Sequence, residues 1–180
     1  TFKSLDGTQL GAWIFRTKAP VKKGTVLQFH GNAENISSYF LGIYWMVEHG
    51  YDLMVFDYRG YGESQGSPDQ EGLNQDAVAA IRYVTQQSAD RGDQKKDLIL
   101  YGQSLGGAVL MRAFADLTSA EKSRIKTLIV EGTFHNYHAI AADVLSRSWI
   151  TWLFQPLGYV LVSNSYGPEG NISKISPTPL

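Results

Sequence analysis

The chain has 180 residues, 43% of them hydrophobic, enough to bury one sizeable core in a single domain. Its 16 basic residues against 17 acidic ones, with no basic run longer than the Lys22-Lys23 and Lys95-Lys96 pairs, exclude a nucleic-acid partner recognised by charge. The absence of cysteine excludes disulfides, thiolate catalysis and cysteine-ligated zinc, and it leaves the compartment open.

The first elements follow a turn signal. After Asp6-Gly7, the stretch "QLGAWIF" at residues 9–15 places Leu10, Ala12 and Ile14 on one side, which predicts a hairpin lying antiparallel at a sheet edge. "TVLQFHGN" at residues 25–32 is a short strand ending at His30-Gly31. Helical spacing then takes over: Ile36, Tyr39, Phe40, Ile43, Tyr44 and Val47 recur at three and four, predicting one helix that stops at Gly50. His49 ends that helix, where a positive charge suits the helix dipole, so its expected role is structural.

The alternation repeats. "YDLMVFDY" at residues 51–58 is nearly continuous in apolar residues, as a strand buried on both faces must be. Ser67-Pro68-Asp69-Gln70 looks like an N-cap with proline at the first helical position, opening a helix through Leu73, Ala77, Ala80, Ile81 and Val84. "DLILYG" is the next strand, residues 105–117 the next helix, and "IKTLIVEG" at residues 125–132 the strand after that. Strand alternating with helix predicts an α/β fold, a mostly parallel sheet with helices on both faces.

Sites in such sheets gather at the carboxyl ends of the strands. The exits here are His30-Gly31-Asn32, Asp57-Tyr58-Arg59-Gly60, Gly102-Gln103-Ser104 and Glu131-Gly132-Thr133. Gly102-Gln103-Ser104-Leu105-Gly106 has the pattern G-x-S-x-G, a sharp turn that lifts a serine hydroxyl above the sheet at a helix N-terminus. The serine backbone is strained there, and the flanking glycines are required because the chain passes itself too closely for side chains. A second copy, Gly62-Glu63-Ser64-Gln65-Gly66, lies in a polar loop without strand or helix around it, so Ser64 is expected in a flexible turn and Ser104 is the candidate nucleophile. A serine nucleophile needs donors for the developing oxyanion. The backbone N–H of Leu105 and that of Asn32, on the loop after an earlier strand, are in the right places in the chain.

"LQFHGNAENI", "VFDYRGYGESQGSP" and "LILYGQSLGGAV" together resemble the α/β-hydrolase superfamily, in the branch that includes monoacylglycerol-lipase-like and depalmitoylase-like serine hydrolases. The resemblance implies a hydrolase that cleaves an ester, thioester or amide of a small acyl substrate, without cofactor, through Ser104 and the Asn32 and Leu105 amides. It also implies a triad in the order Ser, then Asp or Glu, then His, with the acid after the strand that follows Glu131. "ISPTPL" at residues 175–180 reads as the entry to that strand. The acid and base are therefore expected beyond Leu180, the chain is expected to be an N-terminal piece with about two strands to follow, and the piece alone is expected to be inactive.

Inside the chain, the candidates for the base are His135 and His138, and for the acid Glu131, Asp143 and Glu169. Glu131 and His135 stand only four positions apart, which makes it difficult to place the imidazole between acid and serine, so both histidines are expected as polar residues of the pocket rim. His30 is expected to be packed rather than catalytic. Asp57 is expected to take a structural ion pair with Arg59 or a turn role.

Residues 132–177 are too long for a plain connection and should contain helices, with 133–176 a possible cap or pocket wall. Trp149, Trp152, Leu153, Phe154 and Tyr159 fit either an acyl pocket or a lipid contact, although the favoured expectation is one helix face packed on the sheet. The apolar run at 149–162 is short for a bilayer and carries Pro156, so it is not expected to span a membrane, and membrane association is left open. No cluster has metal-ligand spacing and no phosphate-binding loop carries its lysine. The strand at 125–131 would present an unpaired edge, from which self-association is expected. The competing reading is a non-catalytic member of the fold that binds a ligand or partner over the same sheet edge, although a strained serine turn has no evident use there.

Overall fold

The computed structural model describes residues 1–90, 97–147, 150–176 and 178–180; the Lys95-Lys96 pair, Trp149 and the Trp152 side chain lie outside what is described. The N-terminal hairpin forms around Asp6-Gly7, with β1 (Phe2–Lys3) antiparallel to β2 (Gln9–Leu10). The chain then enters the main sheet as β3 (Ala12–Phe15), antiparallel to β5 (Tyr51–Phe56) at the edge. β4 (Gly24–Phe29), β5, β6 (Leu98–Gln103) and β7 (Ile125–Glu131) run parallel, and the order across the sheet is β3-β5-β4-β6-β7.

Alternation along the central strands divides the core between two faces. Leu27, Phe29, Met54, Phe56 and Leu100 turn toward α3 (Gln70–Ala89) and α4 (Leu105–Asp116). Val26, Leu53, Val55 and Ile99 turn the other way, onto Ile36, Ile43 and Val47. Burial of each such side chain contributes about 1.5–3 kcal/mol. Buried positions on consecutive residues are the reason these strands read as continuous apolar runs.

The segment predicted as one helix over 36–47 is broken: α1 (Ile36–Tyr39) passes through a 3-10 turn at Phe40–Gly42 before α2 (Trp45–Glu48). Ser37, Ser38 and Gly42 are poor helix formers, while the apolar spacing keeps Ile36, Ile43 and Val47 on the sheet regardless. Gly50 takes a left-handed conformation, φ +96°, directly after the His49 cap, and there the helix stops as expected. The start of α3 also differs from expectation. Asp69 is the cap, accepting from the Gly72 N–H at 2.9 Å, because Pro68 is packed against Gly60 and keeps Ser67-Pro68 in the loop.

After β7 come α6 (Tyr137–Ser146), a 3-10 turn at Trp152–Phe154, α7 (Gln155–Leu161) and a 3-10 helix at Glu169–Lys174; a short α5 (Ser119–Ser123) precedes β7. α7 packs on α6 rather than on the sheet, with Gly158 against Ala141 and Ala142, so Leu153 and Tyr159 stay exposed instead of lying on the sheet as expected. On the outer side of β7, the Leu128 N–H donates to the Pro179 carbonyl at 2.9 Å.

Candidate active site

Ser104 sits between β6 and α4 with φ 51° and ψ −117°, a conformation a non-glycine residue holds only under constraint. The constraints are visible. Its N–H donates to the Glu131 carbonyl at 2.8 Å, and its own carbonyl accepts from the Thr133 hydroxyl at 2.9 Å. At Gly106 a Cβ would collide with the Phe29 carbonyl, and at Gly102 it would come within 2.7 Å of the Gly107 Cα. The glycines flanking the serine are therefore required by backbone approach, as the sequence pattern predicts.

Ser104, Leu105 and Asn32 meet at one cavity of about 660 Å³. Leu105 is the first residue of α4, so its N–H belongs to the first turn, where no intrahelical acceptor exists. The rest of the wall is apolar and comes largely from the segment after β7: Tyr137, Ile140 and Val144 of α6, and Phe154, Leu157 and Leu161 of the following turns. Tyr137 is held by burial with its hydroxyl pushed up to about 12, so it is a neutral group in the wall. The i, i+3, i+7 spacing of Tyr137, Ile140 and Val144 was the signal in the sequence for this wall.

Asn32 is fastened by two tyrosines that sequence reasoning missed. The Tyr39 hydroxyl donates to its carbonyl at 3.0 Å, and the Tyr61 hydroxyl donates to its Oδ1 at 2.7 Å. The next two residues, Ala33 and Glu34, have φ 70° and 56°, so the loop after β4 is itself constrained.

Beneath this loop, His30 is buried and ringed by Tyr39, Tyr58 and Tyr61 at centroid distances of 5.4, 4.6 and 5.2 Å. Burial pushes its imidazole down to about 4, against the weaker opposing effect of the Gly31 carbonyl 2.8 Å from Nδ1. A carbonyl only accepts, so Nδ1 carries the proton and Nε2 turns a lone pair toward Asp57 Oδ1 at 3.5 Å, without a hydrogen bond. Burial also raises the Asp57 carboxyl, opposed by the Ile36 N–H that donates to it at 2.9 Å. His30 is thus packed, as expected.

Of the two structural roles expected of Asp57, an ion pair with Arg59 or a place in the turn, the structure has the second: its carboxylate accepts the Ile36 N–H and its carbonyl the Ser64 hydroxyl, and it does not pair with Arg59. Arg59 points away to the buried Asp76, donating from Nη2 at 2.8 Å, and to Asp6 at 2.9 Å, because Asp76 on α3 also takes the Arg59 N–H and the Ser4 hydroxyl. Ser64 is not in a loose turn. Its hydroxyl accepts from the Gly11 N–H at 2.9 Å and donates to the Asp57 carbonyl at 2.7 Å, stitching the loop to the hairpin.

The other candidates lie apart from the cavity. His135 is exposed, and its carbonyl accepts from the Glu169 N–H; the His138 ring faces Tyr159 at 5.7 Å. Glu131 takes the Tyr101 hydroxyl, Asp143 takes Arg147, and Glu169 takes Asn136 and Asn164. Among the described residues, the wall that holds Ser104 contains no histidine and no carboxylate. His49 closes α2, its Nδ1 2.9 Å from the Trp45 carbonyl.

Comparison with known proteins agrees with this fold. The chain is 35% identical over 189 residues to the uncharacterized protein YfhR of Salmonella typhi, covering all of this chain and 60% of that one. It is 36% identical over 135 residues to the protein bem46 of Schizosaccharomyces pombe, covering 73% of this chain and 42% of the relative. The chain thus spans about 60% of the length of the YfhR proteins it matches end to end. Among solved structures, an esterase of Pyrococcus furiosus superposes with a TM-score of 0.62 at 18% identity, over 88% of this chain and 59% of that one. A soluble variant of the monoglyceride lipase of Saccharomyces cerevisiae superposes with a TM-score of 0.60 at 21% identity, over 82% of this chain and 50% of that one. The family model of the serine aminopeptidases S33 matches residues 20–177, and the chain belongs to that family of α/β-hydrolases.

Proposed function

We propose that this chain carries the nucleophile and oxyanion hole of a serine hydrolase that cleaves an ester, thioester or amide of a small acyl substrate. Ser104 Oγ attacks the acyl carbon, and the carbonyl oxygen takes the negative charge facing the Leu105 and Asn32 N–H groups. The leaving group departs with a proton, giving an acyl-serine. Water then adds to that ester and releases the acid, restoring the hydroxyl. The observation that carries this reading is the left-handed Ser104, held at the wall of a cavity it shares with both donor residues. Strain of about 1–3 kcal/mol is maintained at a residue whose hydroxyl, among the described residues, makes no hydrogen bond of the kind the Ser64 hydroxyl makes.

The base that would take the Ser104 proton, and the acid that would orient that base, are assigned to the part of the relatives' length that this chain does not span. Two observations support that: the wall around Ser104 holds no histidine and no carboxylate among the described residues, and Pro179 already lies beside β7 where a further parallel strand would start. Without a base, the 180-residue chain is expected to turn over slowly or not at all. The edge of β7 past Leu128 is then open to a strand from the rest of the protein, or to self-association when that strand is missing.

A p-nitrophenyl ester series tests the reading on the whole protein. The proposal expects hydrolysis that Ser104→Ala reduces by about 10³-fold or more while Ser64→Ala retains it. Equal loss in both variants, or none in Ser104→Ala, contradicts it and favours a binding role for the cavity.

A further inference from the structure

The outside of the cavity's mouth is apolar as well as its inside. Leu153, Val160 and Leu161 are 73%, 76% and 74% exposed, and Val144, Phe154 and Leu157 are also exposed. Four of these, Val144, Phe154, Leu157 and Leu161, line the cavity too, so one apolar surface continues from the outer faces of α6 and α7 to the wall that holds Ser104. From position 144 to 168 the sequence has one charged residue, Arg147, and its guanidinium is held by Asp143 at 2.5 Å. Large apolar side chains gathered in this way on a surface mark an interaction site.

We propose that this face rests on a lipid surface, with the cavity opening onto acyl chains. A protein partner seated on Val144, Phe154, Leu157 and Leu161 would seal the mouth that those residues form, whereas a lipid interface presents at that mouth the kind of group these four side chains solvate, a hydrocarbon chain. The aromatic residues agree with this: Phe154 and Tyr159 are exposed in the same charge-poor segment, and tyrosine favours the boundary between headgroups and chains. Among the described residues no helix is long and apolar enough to cross a membrane, so the face lies in the interface rather than through it. With so little charge on the face, apolar insertion and not attraction to anionic headgroups drives the contact.

The inference extends the hydrolase reading, and its test does not depend on catalysis. The whole protein is sedimented with sucrose-loaded phosphatidylcholine vesicles. Binding is expected, and it is expected to persist between about 50 and about 500 mM salt because no screened charge contributes. Leu153→Glu with Val160→Glu, two exposed positions outside the cavity wall, is expected to lower the partition coefficient at least about tenfold with an unchanged melting temperature. Ser104→Ala is expected to bind as the parent does. If vesicles bind the parent while the whole protein hydrolyses no ester, the hydrolase reading fails and this inference stands. A parent chain that stays in the supernatant, or a double variant that binds equally well, overturns the inference. So does a parent dimer that the double variant dissociates in the absence of vesicle binding, which would make a second copy the occupant.

Discussion

The Tyr61 hydroxyl donates to Oδ1 of Asn32 at 2.7 Å, tying the loop after β5 to the loop after β4. Together with the Tyr39 hydroxyl on the Asn32 carbonyl, it fixes a residue whose neighbours Ala33 and Glu34 are already in left-handed conformations. On the proposed chemistry, the contact keeps the Asn32 amide aimed at the oxyanion. Tyr61→Phe removes one hydroxyl and little volume, and it is expected to lower kcat of the whole protein about 10- to 100-fold with KM nearly unchanged. A rise in KM at constant kcat would show that Tyr61 serves substrate binding instead.

Backbone approach at the serine turn gives a stability prediction independent of catalysis. Gly106→Ala places a methyl group against the Phe29 and His30 carbonyls, neither of which can move without disturbing β4, and a loss of about 2 kcal/mol or more is expected in urea unfolding. Gly170→Ala, where a Cβ meets nothing within 4 Å, is the control and is expected within about 0.5 kcal/mol of the parent. Equal effects at the two positions would contradict the packing described here.

The Arg59–Asp76 pair is the buried polar centre beneath the hairpin. Asp76 is fully buried and accepts from the Arg59 backbone, the Arg59 guanidinium and the Ser4 hydroxyl. Asp76→Ala takes the buried acceptor from the Arg59 N–H, the Ser4 hydroxyl and the inner side of the guanidinium, leaving Asp6 as its one carboxylate partner among the described residues, and a loss of about 3–5 kcal/mol is expected. A loss below about 1 kcal/mol by the same measurement would mean water replaces the carboxylate without difficulty.

Much of this arrangement can be read from the residues, and the limits of that reading are physical. Strands β4, β5 and β6 stand out because burial on both faces forces consecutive apolar residues, and Ser104 stands out because a strained turn between such a strand and an apolar helix requires glycine at Gly102 and Gly106. What local pattern cannot supply is the choice of a distant partner. Arg59 stands two residues from Asp57 in the chain yet pairs with Asp76, because α3 brings that carboxylate under the hairpin. Tyr39 and Tyr61 carry no local mark of their contact with Asn32. Trp149 to Tyr159 shows an apolar period, which gives no indication of whether the face meets the sheet, another helix or solvent.

Titration of His30 predicts a pH dependence of stability. Its imidazole is pushed down to about 4 in the folded protein and titrates near its ordinary 6.5 when unfolded. Above about pH 7 both states are neutral and His30 adds nothing. As the pH falls from about 6.5 toward 4, the unfolded chain takes up a proton that the folded chain refuses, so stability is lost, by about 3 kcal/mol at most. Asp57, whose carboxyl burial raises, acts in the opposite sense once the pH approaches the carboxyl range. Urea midpoints are therefore expected to fall between about pH 7.5 and about pH 5, and His30→Phe is expected to flatten that fall. An unchanged slope in the variant would assign it to other groups.

The most direct test of the central claim is to map a fluorophosphonate adduct on the whole protein by peptide mass spectrometry. The account predicts a single modified serine, Ser104, with labelling abolished in Ser104→Ala and much slower on the 180-residue chain. Labelling that persists in Ser104→Ala, or an adduct that maps to Ser64, would contradict it.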